Sequence, residues 1–191
     1  FEVKIQPGKS FAVSVTTDSN LLEGLSVRQD GDWLHLGIKH GINVSPTKLV
    51  ANITMPSLAS ISASGATDME FGSFTMNDFK AEASGASKIH GEVHAQHGLI
   101  DCSGASNIKF VGEISDMNVK ASGASSANCG ELTASKGFVE LSGASNAKIN
   151  ATHQLDYDLS GASHLDYIGQ PSIGRSGSSG ASSASHKATT L

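Results

Sequence analysis

One four-residue corner recurs along this chain at a nearly constant interval, and it restricts the fold more than any other feature. Ser-Gly-Ala-Ser, once Ser-Gly-Ala-Thr, begins at Ser64, Ser84, Ser103, Ser122, Ser142, Ser160 and Ser179. The seven glycines, Gly65, Gly85, Gly104, Gly123, Gly143, Gly161 and Gly180, are separated by 20, 19, 19, 20, 18 and 19 residues. This period is too short for tetratricopeptide, ankyrin or propeller units and fits one coil of a β-helix.

Alignment on the glycine tests that reading. Two positions before it stand Ala63, Ala83, Cys102, Ala121, Leu141, Leu159 and Ser178, and four before it Ile61, Ala81, Ile100, Val119, Val139, Tyr157 and Ser176. Four after it stand Met69, Ile89, Ile108, Ala127, Ala147, Leu165 and Ala184. Six after it stand Phe71, Gly91, Phe110, Cys129, Ile149, Tyr167 and His186. Mostly apolar columns two residues apart indicate strands with one buried face. Each coil therefore reads as a strand entering the corner, a strand leaving it, and a less regular return, with candidate return strands at 74–76, 93–95 and 132–134. The glycine is explained by a backbone angle that a Cβ would strain, or by close approach of neighbouring coils. The column Thr67, Ser87, Ser106, Ser125, Ser145, Ser163 and Ser182 is expected to form a hydrogen-bonded ladder along the axis.

Residues 1–60 lack the corner but alternate apolar and polar side chains at 1–5, 10–16, 25–29, 33–38 and 49–54, with turns at Pro7-Gly8 and Asp30-Gly31. This lead-in is expected to form irregular first coils or a small sheet over the open end, because solenoid ends expose apolar surface and unpaired backbone. Trp33 is assigned to that packing rather than to a sugar-stacking platform. The organisation is thus a β-rich cap over 1–60, a repetitive β-helix over 61–186 and a tail over 187–191. The fold class is all-β, a predominantly parallel solenoid of about seven short coils. Ser179-Gly180-Ala181-Ser182 repeats the corner, so the Ser/Gly-rich stretch 172–185 reads as a final ordered coil.

Composition decides some function classes. A net charge of -5 with a pI near 5.9 offers no footprint for nucleic acid, and no apolar run is long enough for a membrane-spanning helix. The opening Phe1-Glu2-Val3-Lys4-Ile5 fits an exported protein whose targeting segment has been removed. Cys102 and Cys129 fall in apolar columns, outside any CxxC or zinc spacing, and read as buried, unpaired thiols.

The lead-in, with Leu21-Leu22-Glu23, Ile53-Thr54-Met55-Pro56-Ser57-Leu58, the repeated corners and Tyr167-Ile168-Gly169-Gln170-Pro171, resembles the putative auto-transporter adhesin head domain family, also called the GIN domain. Essentially the whole chain is covered. Family members favour Gly-Ser-Gly at the corner, where this chain places Ala after the repeated Gly. The resemblance implies a parallel β-helical fold and a protein exported to the periplasm, outer membrane or exterior of a Gram-negative, often Bacteroidetes-like, cell. It supplies no catalytic residues.

No cofactor is expected. His90, His94 and His97, with Glu92 and Asp101 near them and His153 and His164 in later coils, lack a strong metal spacing and read as surface residues. The acids Glu113/Asp116 and Asp156/Asp158 should mainly face solvent, and no serine sits in a nucleophile elbow. The expected function is non-enzymatic adhesion or recognition of an unidentified envelope protein or glycan. Three positions after the glycine, Asp68, Lys88, Asn107, Asn146 and His164 form a candidate exposed recognition face. The alternatives are a structural or assembly domain without a small ligand, with a homo-oligomer left open, and a polysaccharide-active enzyme. The latter requires a groove where acids meet Lys, Arg or His.

Overall fold

The computed structural model describes residues 1–39 and 48–188. The repeat folds as its spacing demands, into a β-solenoid of about seven turns. Its long strands are β7 (Asp68–Ala83), β8 (Lys88–Cys102), β9 (Asn107–Ala121), β10 (Ser126–Leu141) and β11 (Asn146–Leu159). Each leaves one corner and arrives at the next. Neighbours pair in parallel, so that Ile89 lies beside Ile108 and Cys102 beside Ala121. The coil after β11 is completed by β12 (His164–Ile168) and β13 (Ser172–Ser178), and β14 (Ser183–His186) follows the last corner. The stretch 172–185 is therefore ordered.

Both explanations offered for the corner glycine hold at once. All seven have φ between +66° and +75°, a region that costs other L-residues roughly 1–2 kcal/mol. From the second corner onward, the space for a Cβ is also filled by the preceding glycine. At Gly104 a Cβ would lie 2.8 Å from the Gly85 carbonyl oxygen, and at Gly123 2.7 Å from that of Gly104. The same approach lets Ala105 N–H donate to Gly85 O at 2.7 Å and Ala124 N–H to Gly104 O at 2.8 Å.

The hydroxyl column does form an axial ladder, but through carbonyls. Ser87 donates to Ala63 O (3.2 Å), Ser106 to Ala83 O (3.1 Å), Ser125 to Cys102 O (3.2 Å) and Ser145 to Ala121 O (3.1 Å). Each link ties a corner to the strand entering the previous one, which is how these buried hydroxyls meet the cost of desolvation. At the first corner Thr67 donates within its own corner, to Ser64 O; at the sixth, buried Ser163 Oγ has no partner among the described residues, and at the seventh Ser182 resumes the ladder on Leu159 O at 3.3 Å.

The interior is filled by the predicted columns. Ile61, Ile100, Val119 and Val139, with Ile89, Ile108, Phe110, Cys129 and Ile149, are all buried. Gly91, an anomaly in the sequence alignment, makes room for an aromatic cluster. A Cβ there would press on the Phe71 ring at 2.6 Å, and Phe71 and Phe110 meet across it with centroids 5.5 Å apart. Phe79 joins them at 5.7 and 5.5 Å. Both cysteines are free and fully buried. Burial pushes the Cys102 thiol up to about 12, with the Asp101 charge adding to it, and raises Cys129 as well.

The lead-in forms both irregular coils and a small covering sheet. β1 (Glu2–Pro7) inserts between β7 and β5 (Leu49–Met55) and pairs in parallel with both, burying Val3 and Ile5. β2 (Ala12–Thr17) runs antiparallel on β5. A 3-10 turn at Ser19–Gly24 leads into the hairpin of β3 (Leu25–Asp30) and β4 (Trp33–Ile38), whose Leu34 and Leu36 pack against the core. Short β6 (Ser60–Ala63) pairs with the end of β7. Trp33 departs from expectation. It opens β4 opposite Asp30, on the hairpin face away from Leu34 and Leu36, and stands 51% exposed. Strand alternation turns it outward.

The last coil has polar Ser176, Ser178 and His186 where earlier coils bury apolar side chains. Lys187 N–H donates to Tyr167 O, closing that coil. Of the expected tail, 189–191 lie outside the described residues.

Candidate functional site

Three surfaces bring side chains from several coils together. The first is the row foreseen from the alignment. Parallel register sets Asp68 beside Lys88, Lys88 beside Asn107, Asn107 beside Ser126, Ser126 beside Asn146 and Asn146 beside His164. Asp68, Lys88, Asn107 and Asn146 are exposed, and His164 is half-buried. Two residues further along each strand a second outward row runs Glu70, His90, Lys109, Asn128, Lys148 and Asp166. The rows are cross-linked: His90 lies 3.6 Å from Asp68 and 3.7 Å from Glu70. His164 lies 2.8 Å from Asp166 and 2.7 Å from the Ser183 hydroxyl. This surface intersperses the acids Asp68, Glu70 and Asp166 with Lys88, Lys109 and Lys148.

The second surface was not foreseen. A groove of about 590 Å³ crosses five successive coils where the return turns into the entering strand. Its rim is the register row Asp78, His97, Asp116, Lys136 and Gln154. On its other side runs Lys80, Leu99, Asn118, Phe138 and Asp156. Between them an inward column alternates large and absent side chains: Phe79, Gly98, Met117, Gly137 and Leu155. The space beneath the glycines is taken by neighbours, Ile114 Cδ1 under Gly98 and Leu155 Cδ1 under Gly137.

Leu99 and Phe138 give this groove an apolar strip, with the Arg175 guanidinium 5.4 Å from the Phe138 ring centre. Between them on the same row lies Asn118, whose Oδ1 is buried with no hydrogen-bond partner among the described residues. Such an orphaned acceptor is uncommon in folded proteins. Asp156 accepts from Gln154 Nε2 at 2.8 Å and from the Arg175 backbone N–H. His97 faces Asp116 at 3.2 Å, with side chains 59% and 47% exposed.

A third surface, a pocket of about 560 Å³, is lined by the row Asp101, Lys120, Glu140 and Asp158, with Lys120 paired to Glu140 at 2.7 Å, and the other candidates are dispersed. His94 pairs with Glu92 at 2.8 Å, and this bond, with one from Ser73, holds the Glu92 carboxyl below its usual range. His153 meets Ser135 and Thr152 hydroxyls, and exposed Glu113 lies beside His94 in register. Among the described residues no three His, Cys, Asp or Glu side chains converge as a metal would require, and no helix is long and apolar enough to cross a membrane.

A family model described as "Putative auto-transporter adhesin, head GIN domain" matches residues 1–171. The chain belongs to this family. Solved structures share the GIN-domain fold at low identity. A putative adhesin from Bacteroides fragilis NCTC 9343 superimposes with a TM-score of 0.88 and 21% identity, covering 98% of this chain and 87% of that one. A putative lipid binding protein from Parabacteroides distasonis ATCC 8503 gives 0.73 and 17%, covering 99% and 89%. A putative adhesin from Parabacteroides merdae ATCC 43184 gives 0.73 and 16%, covering 97% and 88%. A comparison with curated proteins returned no match.

Proposed function

We propose that this GIN domain is a non-enzymatic recognition module of a Gram-negative cell envelope, exported to the periplasm, outer membrane or exterior, and that its groove binds glycan. The observation that carries the reading is the unpartnered Asn118 Oδ1 beside Leu99 and Phe138, in a channel lined by successive coils. A sugar presents apolar C–H faces and hydroxyl donors on one body, and this arrangement offers both complements: an apolar strip, the Asn118 acceptor, and Asp116 and Asp156 at the margins. Repetition of the polar rims from coil to coil suits a polymer.

The same groove brings acids near His97 and Lys136, as a polysaccharide-active enzyme would need. A carboxyl that serves as general acid, however, is typically set up by burial or by a like-charged neighbour. His97 and Asp116, at 59% and 47% exposed, stand in water. Binding without turnover is the better fit.

The row Asp68, Lys88, Asn107, Asn146 and His164 supports a second reading, a protein partner, because an exposed surface that carries both signs of charge offers electrostatic complementarity. A glycan array and a pull-down from envelope extract, each with two variant pairs, separate the readings. Loss of glycan binding in Asn118→Ala and Phe138→Ala, but not in Asn107→Ala and Asn146→Ala, supports the groove. The reverse pattern in the pull-down moves recognition to that row. No ligand above a misfolded control removes both, and release of unsaturated or new reducing ends would replace binding with catalysis.

A further inference from the structure

The two ends of the solenoid are finished differently. At the C-terminal end the apolar columns become Ser176, Ser178 and His186, β14 has four residues, and β13 carries Arg175. Short edges and charged residues are common devices against unwanted strand pairing. At the N-terminal end the outermost strand of the twelve-stranded sheet is β2, which pairs only with β5 among the described residues. Its six residues, Ala-Val-Ser-Val-Thr-Thr, include neither charge nor proline, and four of them are β-branched.

The face of β2 that continues the core is also uncovered. Val13 lies opposite Ile53 and Val15 opposite Ala51, both of which are buried. Val15 still packs against the core. Val13 is 43% exposed, and Phe11, two residues before it, is 74% exposed. The apolar face of the sheet thus runs past the end of the core.

We propose that β2 is a self-pairing edge, through which two copies of this chain join antiparallel about a twofold axis at Val13 to form one continuous sheet. This register sets Val13 against Val13 of the second copy, Phe11 against Val15, and Ala12 against Ser14. The opposed pairs from Ser10 to Thr16 are neutral and Thr17 faces Lys9, so self-pairing brings no like charges together. The same surface meets itself on both copies, as a closed twofold dimer requires. A second copy fits better than a charged peptide because β2 offers no charge for one to recognise. At the C-terminal end β13 lacks this self-complementarity, since antiparallel pairing centred on it would oppose Arg175 to itself, and β14 offers only four residues.

The test is the mass of the full chain in solution from micromolar to millimolar concentration, by sedimentation or light scattering. A monomer–dimer equilibrium is expected, abolished in Val13→Lys with an unchanged melting temperature. Under mild oxidant Val13→Cys should give a covalent dimer and Thr16→Cys should not, while Cys102 and Cys129 remain buried. The cysteine pair decides the matter even if the lysine variant misfolds. A monomer at every concentration, a dimer surviving Val13→Lys, equal cross-linking of the two cysteine variants, or capture of only foreign extended segments on β2 would each overturn the proposal.

Discussion

The corner edge of the solenoid and its return edge come from the same coils but follow different rules. At the corners, seven glycines share one conformation, and most of the serines beneath them reach back to the preceding coil. Between β7 and β11 the register shifts all fall in the return, at Phe71/Phe74, Asn128/Glu131, Cys129/Thr133 and Ala134/Lys136. The groove begins on that irregular side. Glycine stacked on glycine leaves the corner little freedom, whereas the return tolerates register shifts between its paired coils. The stack is thus held at one edge and shaped for contact at another.

Substitution at the corner should give the largest effect. Gly104→Val combines a positive φ with a Cβ against the Gly85 carbonyl and should cost about 3 kcal/mol or more in denaturant unfolding. Gly65→Val has the same φ but open space, so it should lose only roughly 1–2 kcal/mol; equal losses would show that close stacking contributes nothing. On the return, Gly112 has φ +116° and its Cβ would strike the Val93 carbonyl, whereas a Cβ at Gly98 meets only the mobile end of Ile114. Gly112→Ala should therefore resemble a corner variant, and Gly98→Ala should cost about 1 kcal/mol.

The cysteines report which edge opens first, Cys102 before a corner and Cys129 at the start of a return. Both thiols are raised in the fold, so the native state keeps protons that the unfolded chain releases. Stability is full below the unfolded thiol's range and falls as pH rises through it, by up to about 1.4 kcal/mol per thiol per pH unit. Thermal melts between mildly acidic and alkaline pH should show that slope, and Cys129 should react with a thiol reagent before Cys102. Simultaneous reaction would mean the edges open together.

A smaller effect is expected at Ser125, which donates to both Cys102 O and Ser122 O. Ser125→Ala should lose about 1 kcal/mol, while Ser163→Ala, whose hydroxyl has no partner among the described residues, should be neutral or stabilising. Least of all should come from Glu131 on the return, whose carboxyl Lys109 holds below its usual range. Any stabilisation from that exposed pair is present above the carboxylate range and lost as pH falls through it. Glu131→Gln should leave the melting temperature at neutral pH unchanged.

Much of the fold was legible because the corner repeats a backbone requirement that few residues satisfy. Glycine at a fixed period, with Ile100, Cys102, Ile108 and Phe110 spaced by two around it, leaves few alternatives to stacked parallel coils. The exposed row from Asp68 to His164 followed from the same alternation. The groove did not, although its signal was present: Phe79, Gly98, Met117, Gly137 and Leu155 alternate large and small, and Phe138 interrupts an outward polar column. Those positions lie beyond the return, where the coil lengths vary and alignment on one glycine loses its certainty. Trp33 was misplaced because an aromatic residue in a strand signals burial only when the facing layer is known.

The sequence by itself determined the coil, its corner and which side chains turn inward, since these are set by backbone angles and a two-residue period acting over a few positions. Tertiary structure alone decided that β1 enters the stack between β5 and β7, that β2 is the outermost of the described strands of that sheet, and that Asn118 and Phe138 share one groove with Arg175 beside it. Those outcomes depend on which distant segments meet, and local propensity carries no record of the partner a strand will find across dozens of residues.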